Sequence, residues 1–136
     1  MIILDTNVIA EAMRGPRADS RVLDWLSSLR QHPVTTVINR AEIMAGIALL
    51  PAGSRRERLR AAADEAFGVL GACLPLVSEC AGEYGDIVAS RRAAGLLIGG
   101  LDALIASIAR VSGARLATRD VADFSGLGIE LIDPWA

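Results

Sequence analysis

The sequence predicts a three-layer α/β/α sandwich around a central, mostly parallel sheet. Three observations carry that prediction. Short apolar or β-branched runs alternate with segments of helical period along the whole chain, as they do when parallel strands are joined through helices. The first run, Ile2-Ile3-Leu4, has no polar alternation and so suits a strand buried on both faces. With 136 residues, 52% of them hydrophobic and only 4% aromatic, the chain is long enough to bury one aliphatic core. A single domain spanning 1–136 is expected.

The elements follow in order. After the first strand, Val8, Ile9, Ala10 and Met13 take helical spacing, and Arg14-Gly15-Pro16 breaks it. Ser20 is placed to cap a second helix whose apolar face is Val22, Leu23, Trp25, Leu26 and Leu29. The β-branched run Val34–Ile38 predicts the second strand. Asn39 then stands as an N-cap with Glu42 three residues on, the pattern of a capping box. Ser54 and Glu57 repeat that pattern before a long helix to Leu70. Leu74–Val77 predicts a peripheral third strand because it contains Pro75. A helix begins at Ser78-Glu79 and stops near Gly95, and Leu101–Ala109 predicts a helix apolar nearly all round, hence buried. Arg115–Thr118 and Ile129–Ile132 are the last strands.

Composition narrows the function. The net charge of −2 excludes a generally basic nucleic-acid binder. All 14 basic residues are arginine. The absence of lysine argues against a P-loop, and against receiver-like and haloacid-dehalogenase-like sites, which share an aspartate after the first strand. A dehalogenase-type phosphatase would also want a second aspartate at position 7, where Asn7 stands. No uncharged apolar run reaches the roughly 18 residues of a membrane span. No basic leader opens the chain. Cys73 and Cys80 lie in apolar surroundings and are expected as buried free thiols. A cytoplasmic protein without membrane partners is expected. The lone His32, beside Pro33, is expected in a solvated loop.

Four acids share one expected location. Asp5, Glu42 and Asp120 each follow closely on the C-terminal end of a predicted strand, and Asp102 opens the buried helix. Parallel strands put those ends on one edge, where open α/β sheets bind ligands. Each acid also has a plainer reading: Asp5 and Asp102 as helix caps, Glu42 as half of a capping box. Together, however, four carboxylates oppose joint ionisation. Either some stay protonated or a divalent cation sits among them. All-oxygen ligation suits Mg²⁺ or Mn²⁺, and the lack of His and Cys speaks against zinc. Such an arrangement can hydrolyse phosphodiesters by lowering the pKa of a water and stabilising the leaving oxygen. Asn7 and Thr118 are placed to orient ligands or water from behind the acids.

These residues resemble a known family. Ile-Ile-Leu-Asp-Thr-Asn, then Asn-Arg-Ala-Glu, Gly-Gly-Leu-Asp-Ala-Leu-Ile-Ala and Ala-Thr-Arg-Asp-Val-Ala-Asp-Phe follow one another as they do in PIN-domain ribonucleases. In particular the chain resembles VapC-type toxins of type II toxin–antitoxin pairs, in the FitB-like branch. The resemblance covers nearly all of the chain. It implies a PIN-like fold and a Mg²⁺- or Mn²⁺-dependent endoribonuclease. It also implies a homodimer, inhibited by a VapB/FitA-like antitoxin covering the active-site groove. Asp5, Glu42, Asp102 and Asp120 fall on the family's acidic positions, with Asp5 and Asp102 first as metal ligands. Asn7 and Thr118 match its polar support, and Asp123 a structural acid. The alternative is a catalytically inactive PIN-like binding or adaptor protein, in which the same acids would be structural.

An acidic protein must meet RNA through local patches. Arg14, Arg17, Arg40, Arg91, Arg92 and Arg119 are the expected contacts, chosen for nearness to the acids or to helix ends. Arg55, Arg56, Arg58 and Arg60 crowd one helix start, as a solvated face or as a phosphate-contacting patch. The helices around Trp25, Leu26, Met44 and Leu49 could supply a dimer or antitoxin surface, with core packing as the commoner fate.

Overall fold

Every strand pairing is parallel. The computed structural model describes residues 1–136. Strands β1 (Ile2–Leu4), β4 (Arg115–Ala117) and β5 (Leu131–Ile132) form one ladder; β2 (Thr35–Thr36) and β3 (Cys73–Leu74) form another. A parallel bridge from Ile3 to Val34 joins them edge to edge, so the order runs β3-β2-β1-β4-β5. Leu4 N donates to Val34 O at 2.9 Å and Val34 N to Ile2 O at 2.8 Å. The central strand, β1, carries no charge until Asp5.

Strand alternation sorts the core into two. Ile3 and Leu116 point to one face and pack with α5 (Cys80–Ala93), α6 (Gly100–Ser112) and α7 (Val121–Phe124). Leu4 and Ala117 point to the other and pack with α1 (Thr6–Ala12), α2 (Ser20–Ser28), α3 (Val37–Ala48) and α4 (Ser54–Val69). Helix α6 is buried along Ala103 and Ile105–Ala109, as its uniform apolarity predicts. Gly113 closes it with a φ of 66°, a left-handed cap that glycine accepts without strain.

Several boundaries differ from the sequence reading. The second strand does not reach Ile38. Thr36 caps α3 instead, its hydroxyl accepting from Asn39 N at 3.1 Å, and Val37 and Ile38 turn into the helix. A cap of this kind is worth about 1 kcal/mol, enough to outweigh the weak strand preference of two β-branched residues. Asn39 is therefore no cap; it is fully buried in the first turn. Asp19 rather than Ser20 caps α2, accepting from Arg21 N. Ser54 is the first residue of α4 and makes no capping bond. The third strand is Cys73–Leu74, since Pro75 cannot donate to the ladder; Leu76 and Val77 are exposed beyond it. Cys80 is buried as expected, but Cys73 is exposed, because its strand is the sheet edge. Trp25 and Leu26 pack partly buried against the second core. Met44 and Leu49 stay exposed, Leu49 at 85%. No helix is long and apolar enough to cross a membrane.

Arg91 corrects a further expectation. It is buried, and one guanidinium nitrogen donates to Asp123 O at 2.6 Å and to Ser125 O at 2.8 Å. It ties α5 to the end of α7, so it cannot face RNA. Arg91→Ala leaves two carbonyls without their donor and should cost about 1–3 kcal/mol. A fall in the urea midpoint checks this; an unchanged midpoint would refute the anchoring role.

Candidate active site

The C-terminal ends of β1, β2 and β4 meet the N-terminal ends of α1, α3 and α7 along one edge. Asp5 ends β1 and caps α1 with its side chain, so its capping and its site position coincide. It is 5% exposed. An ionised carboxylate at that depth needs donors, and three are in place. Thr6 N donates to Oδ1 at 2.8 Å, Asn39 Nδ2 to Oδ1 at 3.1 Å and Thr118 Oγ1 to Oδ2 at 2.7 Å. Burial raises the Asp5 pKa, and Thr118, Thr6 and Asn39 oppose the rise.

The same donors link two more acids. Asn39 Nδ2 also donates to Thr6 Oγ1 at 3.0 Å, and Thr6 Oγ1 donates to Glu42 Oε1 at 2.8 Å. On the other side, Asn7 Nδ2 donates to Asp120 Oδ2 at 3.2 Å and, more weakly, to Thr118 Oγ1 at 3.4 Å. Thr118 Oγ1 accepts from Asp120 N at 3.0 Å, and Asn7 Oδ1 from Arg119 N at 3.2 Å. Glu42 and Asp120 thus sit at the two ends of one hydrogen-bonded chain with Asp5 at its centre. Thr36 Oγ1 donates to Asn39 Oδ1 at 2.7 Å, which turns the amide so that its NH₂ faces the acids.

Asp102 faces this chain from α6 without any protein donor. Burial comes first, then the charges of Asp5, Glu42, Asp123 and Asp120; together they push its carboxyl up to about 6. A Cβ added at Gly99 would stand 3.9 Å from Asp102 Oδ2, so the glycine leaves that side of the carboxylate uncovered. Such a group favours a proton or a cation. No three acidic, His or Cys side chains close into a metal cage. The set is an open arrangement of oxygen donors, with a carboxylate that lacks a partner. That suits Mg²⁺ or Mn²⁺, which keep several waters and need one or two carboxylates from the protein. Asp5 and Asp102 are the residues that could hold the ion.

All four predicted acids, with Asn7 and Thr118, therefore meet on one edge. No predicted arginine side chain joins the hydrogen-bonded chain. Arg40 lies 4.8 Å over the Phe67 ring and Arg119 5.0 Å over the Trp135 ring. Arg14 pairs with Glu11 at 2.9 Å. Arg17 is exposed, as is Arg92, on the outer side of α5 beside Tyr84 and Val88. Three functional side chains escaped the sequence reading: Thr6, Thr36 and Asn39. The available signal was polar residues at positions 35, 36 and 39 between apolar neighbours, since burial there demands partners.

The whole arrangement matches a known domain. The sequence profile of the PIN domain matches residues 2–128. The chain belongs to the PIN domain family. The plasmid stability protein StbB of Pseudomonas syringae is 38% identical over 99% of both chains. The VapC ribonuclease Y4jK of Sinorhizobium fredii is 34% identical, covering 99% of this chain and 98% of its own. In three dimensions this PIN domain superposes on a chain of the FitAcB crystal structure from Neisseria gonorrhoeae with a TM-score of 0.88. That chain is 33% identical, with 99% of each covered.

Asp102 makes the metal-free protein pH-sensitive. Its folded pKa of about 6 lies above the ordinary 3.8, so the folded state holds the proton more tightly than the unfolded state. Stability therefore falls as pH rises from about 4 to about 6, and stays low above that. Asp102→Asn should raise the thermal midpoint at pH 8 and change it little at pH 4. A lowered midpoint at pH 8 would contradict the assignment.

Proposed function

We propose that this PIN domain is a Mg²⁺- or Mn²⁺-dependent endoribonuclease and the toxin of a toxin–antitoxin pair. One observation carries the reading: a single hydrogen-bonded chain binds Asp5, Glu42 and Asp120 together, with Asp102 opposite and unpartnered. An adaptor has no use for a half-buried Asp102 without a donor, facing the charges of Asp5, Glu42, Asp123 and Asp120, since that repulsion only destabilises it.

A bound Mg²⁺ or Mn²⁺ supplies a water of lowered pKa and offsets charge on the phosphate. The residues do the rest. Asp5 and Asp102 would hold the ion. Thr118, Thr6 and Asn39 favour the ionised form of Asp5 against its burial and fix its orientation. Glu42 is held through Oε1 by Thr6, which leaves Oε2 to accept the proton of the attacking water. Asn7 holds Asp120 at the far end, where it orients water toward the leaving side.

The relatives named VapC ribonuclease and Toxin FitB support the ribonuclease and toxin readings. A structural neighbour from the FitAB complex bound to a DNA fragment supports a partner that brings the pair to DNA. A VapB/FitA-like antitoxin is the expected inhibitor. A homodimer is the expected form, with exposed Met44 and Leu49 available for contacts.

Purified, antitoxin-free protein should cleave a structured RNA pool with Mn²⁺ or Mg²⁺ and stop in EDTA. Asp102→Asn should lose at least about a hundredfold, as loss of a metal's charge stabilisation implies. Cleavage that survives EDTA, or the mutant, would overturn the reading.

A further inference from the structure

We propose that the groove between α1, α3 and α4 is a binding track for the phosphate backbone of the RNA that enters the acidic edge. The proposal rests on the nuclease reading for its substrate. Glu42 lines this groove and is the only acid that does. Arg14, Arg17, Arg55 and Arg58 line it together, alongside Ile47 and Leu59. In a chain of net charge −2, four of 14 basic residues share this one cleft. The local field there opposes that of the whole molecule, and a cleft concentrates it.

Arg14 pairs with Glu11, but folding does not explain the other three. Arg17, Arg55 and Arg58 have no acid within ion-pair distance. Arg55 and Arg58 also sit in the first turns of the 16-residue helix α4. Cations are disfavoured at that end, where the helix already presents partial positive charge. Two unpaired guanidiniums and a helix N-terminus therefore point their charge at the same cleft, an arrangement that an anion would relieve. Guanidinium forks match phosphate oxygens bidentately. A polynucleotide carries one such anion per residue and must run past the acids on both sides of the cleaved bond. Continuity with Glu42 favours RNA over an acidic peptide as the occupant.

The test is binding of a labelled single-stranded oligouridylate in EDTA, so that cleavage does not intervene. Salt dependence is compared for wild type and for Arg55→Glu/Arg58→Glu. A control of equal charge change, Arg30→Glu/Arg115→Glu, lies in a hollow beside Met1, at the opposite edge of the sheet. Losing two phosphate contacts should lower the log–log salt slope by about 1.4, at ~0.7 per phosphate on a single strand, and weaken binding on the order of tenfold at low salt. The control should leave the slope unchanged. The groove variant should keep or raise its thermal midpoint, because it removes cations from a helix N-terminus; the loss then cannot come from unfolding. An unchanged slope, or an equal loss in both variants, overturns the proposal. So does an effect on binding of oligoglutamate but not of oligouridylate, which would assign the groove to an acidic peptide. Metal-dependent cleavage alongside an unchanged slope would sink the groove and leave the nuclease reading standing.

Discussion

The burial of one ionisable carboxylate organises this molecule. Asp5 ends the central strand, 5% exposed and flanked by Ile3 and Leu4, which are buried too. Without partners its charge would cost several kcal/mol. The donors come from three places far apart in sequence: Thr6 beside it, Asn39 from α3 and Thr118 from the end of β4. Satisfying Asp5 thus fixes how α3 and β4 approach β1. The bridge from Ile3 to Val34 and the ladder from β1 to β4 supply the backbone half of the same constraint.

From that centre the site follows with little freedom. Asn39 spends one amide hydrogen on Asp5 and the other on Thr6, so Thr6 must give its only hydrogen to Glu42. Thr118 gives its hydrogen to Asp5, so its oxygen accepts from Asp120 N and from Asn7. Each donor hydrogen in the chain runs toward an acid or toward an oxygen that passes it on. The network is arranged for ionised carboxylates. Asp102, on the separate α6 layer, receives no donor and its carboxyl is pushed up to about 6. One side of the site is satisfied by hydrogen bonds and the other carries a carboxylate without a protein donor.

Much of this was legible in the sequence, for a physical reason. The apolar run ending at Asp5, the buried helix opening at Asp102 and the acids just past two other strands each report burial beside charge. The period-2 and helical patterns place them on one edge. What the patterns lack is the partner of each polar group. Asn39 looks like a cap because caps are local and its true partners lie 33 and 34 residues away. Val37 and Ile38 look like strand because the Thr36 cap that turns them into helix is a single hydrogen bond. Arg91 looks like a surface cation because its burial depends on carbonyls at Asp123 and Ser125, brought to it by the fold.

A buried hydrogen-bond chain, and not the acids alone, sets the site. Mn²⁺ affinity tests it directly, measured by titration on wild type and on Asn39→Ala, at a temperature where circular dichroism shows both folded. Asn39 touches no metal in this account; it orients Asp5 and, through Thr6, Glu42. The account predicts Mn²⁺ binding weakened about 10- to 100-fold, the range for groups that hold a metal's ligands in place. Equal affinity in the two folded proteins would contradict it, and would leave Asn39 a packing residue beside acids that need no support.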